Sequence, residues 1–98
     1  MSINIGLDIG AVSLKLAAIG AAGDKALLDS LTERSESFFA SEFPASSPFA
    51  GRPLVLSRYR KLQGSPIQST FDLLKELYED VPEQSVEGIR VTGSGTSS

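Results

Sequence analysis

Ten consecutive residues, Gly6-Leu7-Asp8-Ile9-Gly10-Ala11-Val12-Ser13-Leu14-Lys15, hold a carboxylate, a small turn residue, a hydroxyl and an ammonium at a spacing that could do chemistry. A glycine next to a strand end lets backbone amides approach an anion, and those amides together with a nearby ammonium can meet phosphate oxygens. The carboxylate can hold a magnesium ion through its water shell. The pattern therefore suits a Mg-nucleotide, with Asp8 on the metal and Gly10, Ala11, Val12, Ser13 and Lys15 on the phosphates. No residue here is read as a catalytic acid, base or nucleophile. The plain alternative is an ordinary hairpin with an exposed Asp and Lys at its tip, and an Asp-x-Gly by itself does not separate the two. A second glycine-rich turn, Thr92-Gly93-Ser94-Gly95, is either a further nucleotide contact or one of the many such turns that follow strands.

These residues need elements to position them. Ile3, Ile5, Leu7 and Ile9 alternate with Asn4, Gly6 and Asp8, the period-two pattern of a strand, and the strand puts Asp8 near its end. Leu14 to Gly20 reads as the returning strand of a hairpin whose loop lies at about Gly10 to Ser13. Residues 24–53 have no steady period: Ala26 to Leu31 reads as a strand or a short helix, and Ser35 to Pro53 as an irregular insertion. Phe38, Phe39, Phe43 and Phe49 lie in that stretch, and four aromatics in a polar loop imply packing, on a satellite core or on a partner. Leu54 to Tyr59 reads as a third strand, with Arg58, Arg60 and Lys61 as a solvated basic end. Ser65, Pro66 and Gln68 form a helix start with a capping box. Ile67, Phe71, Leu74, Leu77 and Tyr78 then share one helical face, and Pro82 stops the helix before a fourth strand over Glu87 to Thr92. A strand that follows a crossover helix returns parallel to its neighbours, so the predicted fold is an α/β mixed sheet built from a hairpin, a third strand, one crossover helix and a fourth strand.

Composition narrows the chemistry. The 98 residues suit one domain, and the hydrophobic fraction of 41% and charged fraction of 21% are those of a globular chain. With no Cys and no His, zinc, iron–sulfur and thiol sites have no ligands in this segment. A net charge of −3 argues against polynucleotide binding, which needs the opposite balance. No apolar run is long enough for a membrane span and no secretory signal opens the chain, so a cytoplasmic location is expected.

Asp8-Ile9-Gly10 with Ser13 and Lys15, in a strand-turn-strand at the N-terminus, resembles the first phosphate motif of the actin, heat-shock ATPase and sugar-kinase superfamily. Within it, GLDIGAVSLKLAAI, SRYRK, STFDLLKEL and VTGSG are most similar to the ATPase activators of 2-hydroxyacyl-CoA dehydratases and to the ATPase subunits of benzoyl-CoA reductases. The similarity covers roughly residues 3–23 and 54–96. It implies a ribonuclease-H-like fold repeated twice, with ATP and Mg between the halves. It also implies a homodimer sharing one 4Fe–4S cluster, and ATP-driven electron transfer to a dehydratase or reductase partner. By position, the resemblance assigns Asp8 to the Mg-associated carboxylate, Gly10 to Ser13 to the phosphate loop, Lys15 to the phosphate-side cation, and Thr92, Gly93 and Gly95 to the turn closing the first half-sheet. Ala11 and Val12 depart from it, because the family commonly carries Ser or Thr directly after the first glycine. The cluster cysteines and a second phosphate motif are expected after Ser98. Residues 1–98 are thus expected to be the N-terminal part of a longer ATPase domain, with an insertion at about 24–53, weak in nucleotide binding and inactive alone. A sugar or small-molecule kinase and an actin-like assembly protein are the alternative readings.

Overall fold

The computed structural model describes residues 2–62 and 65–92. Its strands are β1 (Ile3–Ile9), β2 (Ser13–Ile19), β3 (Phe38–Ser41), β4 (Leu54–Ser57), β5 (Arg60–Lys61) and β6 (Val86–Thr92), and its helices are α1 (Lys25–Arg34) and α2 (Pro66–Tyr78). Among the described residues this is an α/β chain with one mixed sheet in the order β3-β4-β2-β1-β6, with β5 also paired to β2. β1 is antiparallel to β2 and parallel to β6. The parallel return after α2 is the arrangement that the crossover pattern predicts.

The alternation in β1 sorts its residues as read from sequence. Ile3, Ile5 and Leu7 are buried, while Asn4 and Asp8 are exposed. Leu14, Leu16 and Ala18 of β2 join the same cluster, as do Val55 of β4, Leu28 and Leu31 of α1, and Leu73 and Leu77 of α2. Both helices therefore cover one face of the sheet, and the opposite face carries Asn4, Gly6, Asp8, Lys15, Ala17, Ile19, Leu54 and Leu56, all exposed or half-buried. The end of α1 reaches the turn after α2, where Arg34 Nε and Asp80 Oδ1 are 3.5 Å apart.

The third strand ends earlier than its composition predicts. β4 pairs with β2 through Ala17↔Leu56, yet β5 pairs through Leu14↔Arg60, so three residues (57–59) stand opposite two (15–16). This is a β-bulge, which leaves ladder groups without their usual partner. Ser57, 1% exposed, fills the gap: its Oγ accepts the Leu16 N–H at 2.7 Å. Arg58 N–H turns the other way, to the Ser37 carbonyl at 2.8 Å. Ser57→Ala would orphan a buried N–H, so it is expected to destabilise by about 1–3 kcal/mol; a denaturation midpoint indistinguishable from wild type would show that the bulge does not depend on the hydroxyl.

Residues 24–53 are more ordered than an irregular insertion. Ala26 to Leu31 falls within α1, and Phe38–Ser41 is an edge strand antiparallel to β4. Leu28 and Leu31 alone are buried on α1, and four residues give β3 too few alternations to read, so tertiary pairing decides both. The aromatics split. Phe38 enters the main core at 3% exposure, Phe43 and Phe49 pack on each other with centroids 5.5 Å apart, and Phe39 lies under the Arg58 guanidinium at 5.6 Å. Arg52 pins the remaining loop by donating from Nε to the Gly20 carbonyl at 2.9 Å.

α2 starts as its cap predicts, with Pro66 in the first turn and Ser65 Oγ accepting from Gln68 N–H at 3.4 Å. The capping box is only half made, because the Gln68 side chain donates to Asp72 at 3.0 Å instead of reaching back. The helical face also needs correction. Leu77 is buried and Leu74 half-buried, but the fully buried partner of Leu77 is Leu73, whereas Ile67 and Phe71 are 69% and 62% exposed. The apolar stripe is wider than the contact, so only its Leu73–Leu77 side is buried, and beside it Glu76 is held by Arg60 of β5, with Ser37 bridging them at 2.8 and 3.1 Å.

Candidate functional site

The ladder brings three of the sequence-predicted residues into one row. Asp8 of β1 stands opposite Lys15 of β2 on one side and Thr92 of β6 on the other. Directly opposed residues share a face with their Cβ atoms about 4.5–5.5 Å apart in an antiparallel pair, and this row lies on the face without helices. Asp8 and Thr92 are exposed and Lys15 is half-buried. The Thr92 hydroxyl donates to the Leu7 carbonyl at 3.4 Å, which ties the end of β6 to the Asp8 end of β1. Gly93 and Gly95 lie outside the described residues.

The two charges do not neutralise each other. Among the described residues the ion pairs are Lys25–Asp29, Arg34–Asp80 and Arg60–Glu76, and neither Asp8 nor Lys15 takes part. Lys15 faces the bulge, and its Nζ sits over the ring of Tyr59 at 5.0 Å from the centroid. Such a contact is worth about 0.5–1 kcal/mol at an exposed site, enough to orient the ammonium without hiding it. Tyr59 is 73% exposed. Sequence reasoning placed it only at the end of a strand, and no sequence signal marks it, because the extra residue of the bulge is what sets Tyr59 against Lys15.

The hairpin loop is closed by the Gly10 N–H donating to the Ser13 carbonyl at 2.8 Å. The glycine amide is thus engaged, while the amides of Ala11 and Val12 reach no backbone acceptor among the described residues. A Cβ at position 10 would lie 3.4 Å from the Ser13 carbonyl oxygen, an ordinary contact, so space alone does not demand glycine there. No described residue other than glycine has a positive φ, so the turn admits Ala11 and Val12 without strain. The Val12 carbonyl accepts from Leu62 N–H at 2.9 Å and braces the loop against the strand beyond the bulge.

The arrangement offers a carboxylate, a cation and two loop amides without a backbone acceptor among the described residues at one sheet end. Among the described residues no group of three or more His, Cys, Asp or Glu comes together as a metal cage. A magnesium ion at Asp8 would therefore keep most of its water, which is its habit. The basic cluster Arg58, Arg60 and Lys61 is mostly architectural: Arg60 pairs with Glu76, and Arg58 donates to the Glu36 carbonyl at 2.9 Å while covering Phe39. A separate open cleft of about 690 Å³ lies between α1 and the Glu42–Pro53 loop, lined by Leu28, Phe43 and Leu54 with Lys25, Asp29 and Arg52 at its rim. Within it Lys25 pairs with Asp29, and Arg52 donates to the Gly20 carbonyl. No described helix is long and apolar enough to cross a membrane.

The fold and the row together define an α/β chain with an unshielded carboxylate and ammonium on the bare face of a mixed sheet. No family model, no curated protein and no solved structure matches this chain.

Proposed function

We propose that this chain is the N-terminal, phosphate-binding part of an ATPase domain of ribonuclease-H-like fold, and that its ATPase activates a 2-hydroxyacyl-CoA dehydratase or a benzoyl-CoA reductase by ATP-driven electron transfer. The observation that carries the reading is the row Lys15, Asp8, Thr92, which unites the two sequence motifs at one end of the bare sheet face although they are more than seventy residues apart. The order of hairpin, third strand, helix and parallel fourth strand supports the fold assignment, with α1 and β3 as an addition between the second and third of its strands.

In this reading Mg-ATP supplies the phosphoryl group whose transfer to water drives the cycle. Asp8 holds the metal's water shell, Lys15 and the amides of Ala11 and Val12 meet phosphate oxygens, and Ser13 is the one loop hydroxyl left to join them. Gly93 and Gly95, which the resemblance assigns to the same ligand, follow closely on Thr92 in the sequence. Catalysis of this kind rests on groups fixed around the transition state, and the row is a single wall, so the isolated chain should bind nucleotide weakly and turn it over poorly. Iron–sulfur ligands, a dehydratase or reductase partner and a dimer belong to the same proposal, and the cysteines must come from other residues, since this chain has none.

The test uses the chain itself. Amide chemical shifts recorded on titration with Mg-ADP are expected to move at residues 8–15 and near Thr92, with a dissociation constant in the millimolar range, about −4 kcal/mol of binding. Asp8→Asn should remove the magnesium dependence of those shifts. Shifts confined to the cleft between α1 and the Glu42–Pro53 loop, or none at saturating nucleotide, would sink the proposal.

A further inference from the structure

The cleft between α1 and the Glu42–Pro53 loop exists because a small side chain stands where a larger one would fill it. Alternate residues of a strand face the same side of the sheet, and on the side that α1 covers β3 presents Phe38, 3% exposed, and then Ala40, which stands opposite the buried Val55 of β4. Ala40 leaves open the space that a second phenylalanine would close. Leu28 of α1 and Val55 form an apolar floor, and Phe43 is one wall. The loop behind that wall is fixed by its own hydrogen bonds: Ser47 N–H donates to the Pro44 carbonyl at 2.9 Å, Ala50 N–H to the Ser47 carbonyl at 3.1 Å and Arg52 N–H to the Phe49 carbonyl at 3.0 Å. Gly51 takes the left-handed position, φ 85°, that glycine tolerates best. The loop's end is tied to β2, because Gly20 donates its N–H to the Pro53 carbonyl at 3.1 Å and accepts from Arg52 Nε. The volume of about 690 Å³ falls within the ~300–1,000 Å³ of small-molecule sites.

Four charged side chains line this cleft, two of each sign. Lys25 and Asp29 neutralise each other at 2.7 Å. Arg52 and Glu42 make no ion pair among the described residues. The Arg52 guanidinium is held at Nε by the Gly20 carbonyl and lies over the Phe49 ring at 5.6 Å, and its two terminal nitrogens have no hydrogen-bond partner among the described residues. A guanidinium fixed in this way, with its fork free, suits a carboxylate. Glu42 is exposed and suits an ammonium. A polyanion such as a nucleotide gains no net attraction from so balanced a rim, and a neutral apolar molecule leaves both unpaired charges unanswered. We propose that the cleft binds an apolar amino acid as its zwitterion, with the carboxylate on Arg52, the ammonium on Glu42 and the side chain on Leu28, Ala40 and Val55. The site lies on the helix-covered side of the sheet, away from the row of Lys15, Asp8 and Thr92, and does not depend on the phosphate reading of that row.

The experiment titrates the chain with L-phenylalanine and follows amide chemical shifts. Leu28, Ala40 and Val55 are expected to move, with a dissociation constant of about 0.1–1 mM, ordinary for so small a ligand in an open site. 3-Phenylpropanoate, which lacks the ammonium, should bind about fivefold more weakly, the most that one exposed ion pair supplies. Phenethylamine, which lacks the carboxylate, should lose about tenfold or more, because the paired bonds to Arg52 go with it. Glu42→Gln should abolish the preference for phenylalanine over 3-phenylpropanoate, and Ala40→Leu, which fills the cleft, should abolish the shifts. Arg52→Gln should weaken both carboxylates together; where that change loosens the loop, the three-ligand comparison and Glu42→Gln, at an exposed position without a partner, decide without it. Equal affinity for the three ligands would make the cleft a merely apolar groove and overturn the proposal. Shifts that spare the cleft, or none at any soluble concentration of phenylalanine, would overturn it as well.

Discussion

If the proposed reading holds, Asp8→Asn is expected to lower Mg-ATP turnover by about a hundredfold or more, the usual cost of removing one preorganised electrostatic group from a transition state. The same change should move unfolding stability by no more than about 1 kcal/mol, since Asp8 is exposed and its neighbouring opposite charge, Lys15, stands across a strand pair. The split follows from the site. Asp8 is exposed and takes part in no ion pair among the described residues, so folding asks little of its charge. Asn keeps the shape and strand position, but it places an NH₂ and no negative charge where a magnesium-bound water would donate. Opposite charges facing each other across a strand pair are worth about 0.2–1 kcal/mol, so the loss of attraction to Lys15 sets the upper end of the stability change. Turnover assays and denaturant titrations on the same preparations decide the matter. Parallel losses in both would make Asp8 a merely structural residue, and unchanged turnover would remove it from the site.

The second large effect separates two residues that the helical pattern treats alike. Leu77→Ala is expected to cost about 2–5 kcal/mol, the range for emptying a packed site, because Leu77 has 0% exposure between α2 and the sheet. Phe71→Ala should stay within ~0.5 kcal/mol, since that ring is 62% exposed. A domain of this size is stable by only about 5–15 kcal/mol in total, so the first change removes a large fraction of the margin and the second is barely measurable. Urea midpoints for the two variants give the comparison. A Phe71 loss as large as the Leu77 loss would mean that α2 is rolled by a full residue relative to its position on Glu76 and Arg60.

Legibility followed the length and regularity of each element. β1 alternates over seven residues, so both its core face and the exposure of Asp8 could be read directly. α2 was legible through Ser65, Pro66 and its stripe, but the stripe could not say which of Leu73 and Phe71 faces in, because both border it and the choice falls to packing against the sheet. α1 and β3 were not legible: the helix buries only two leucines, and the four residues of β3 acquire their conformation by pairing with β4. The third strand was read as continuous to Tyr59, and nothing in LVLSRY announces the bulge, since a bulge is a property of the register between two strands. As for the site, Asp8, the Gly10–Ser13 loop and Lys15 were visible as a local cluster.

By itself, then, the sequence determined what is local: the alternating hairpin, the capped helix, the absence of thiol and imidazole ligands, and the presence of a carboxylate and an ammonium seven residues apart. Period, capping and composition act over a few residues and can be read without knowing what the chain folds against. Only the tertiary structure decided that Thr92 completes the row with Asp8 and Lys15, that Tyr59 sits beneath Lys15, and that Arg52 and Glu42 line one cleft with Leu28. Each of these depends on strand order and register between distant segments, where burial free energy summed over the whole core selects one pairing among many that the local pattern allows.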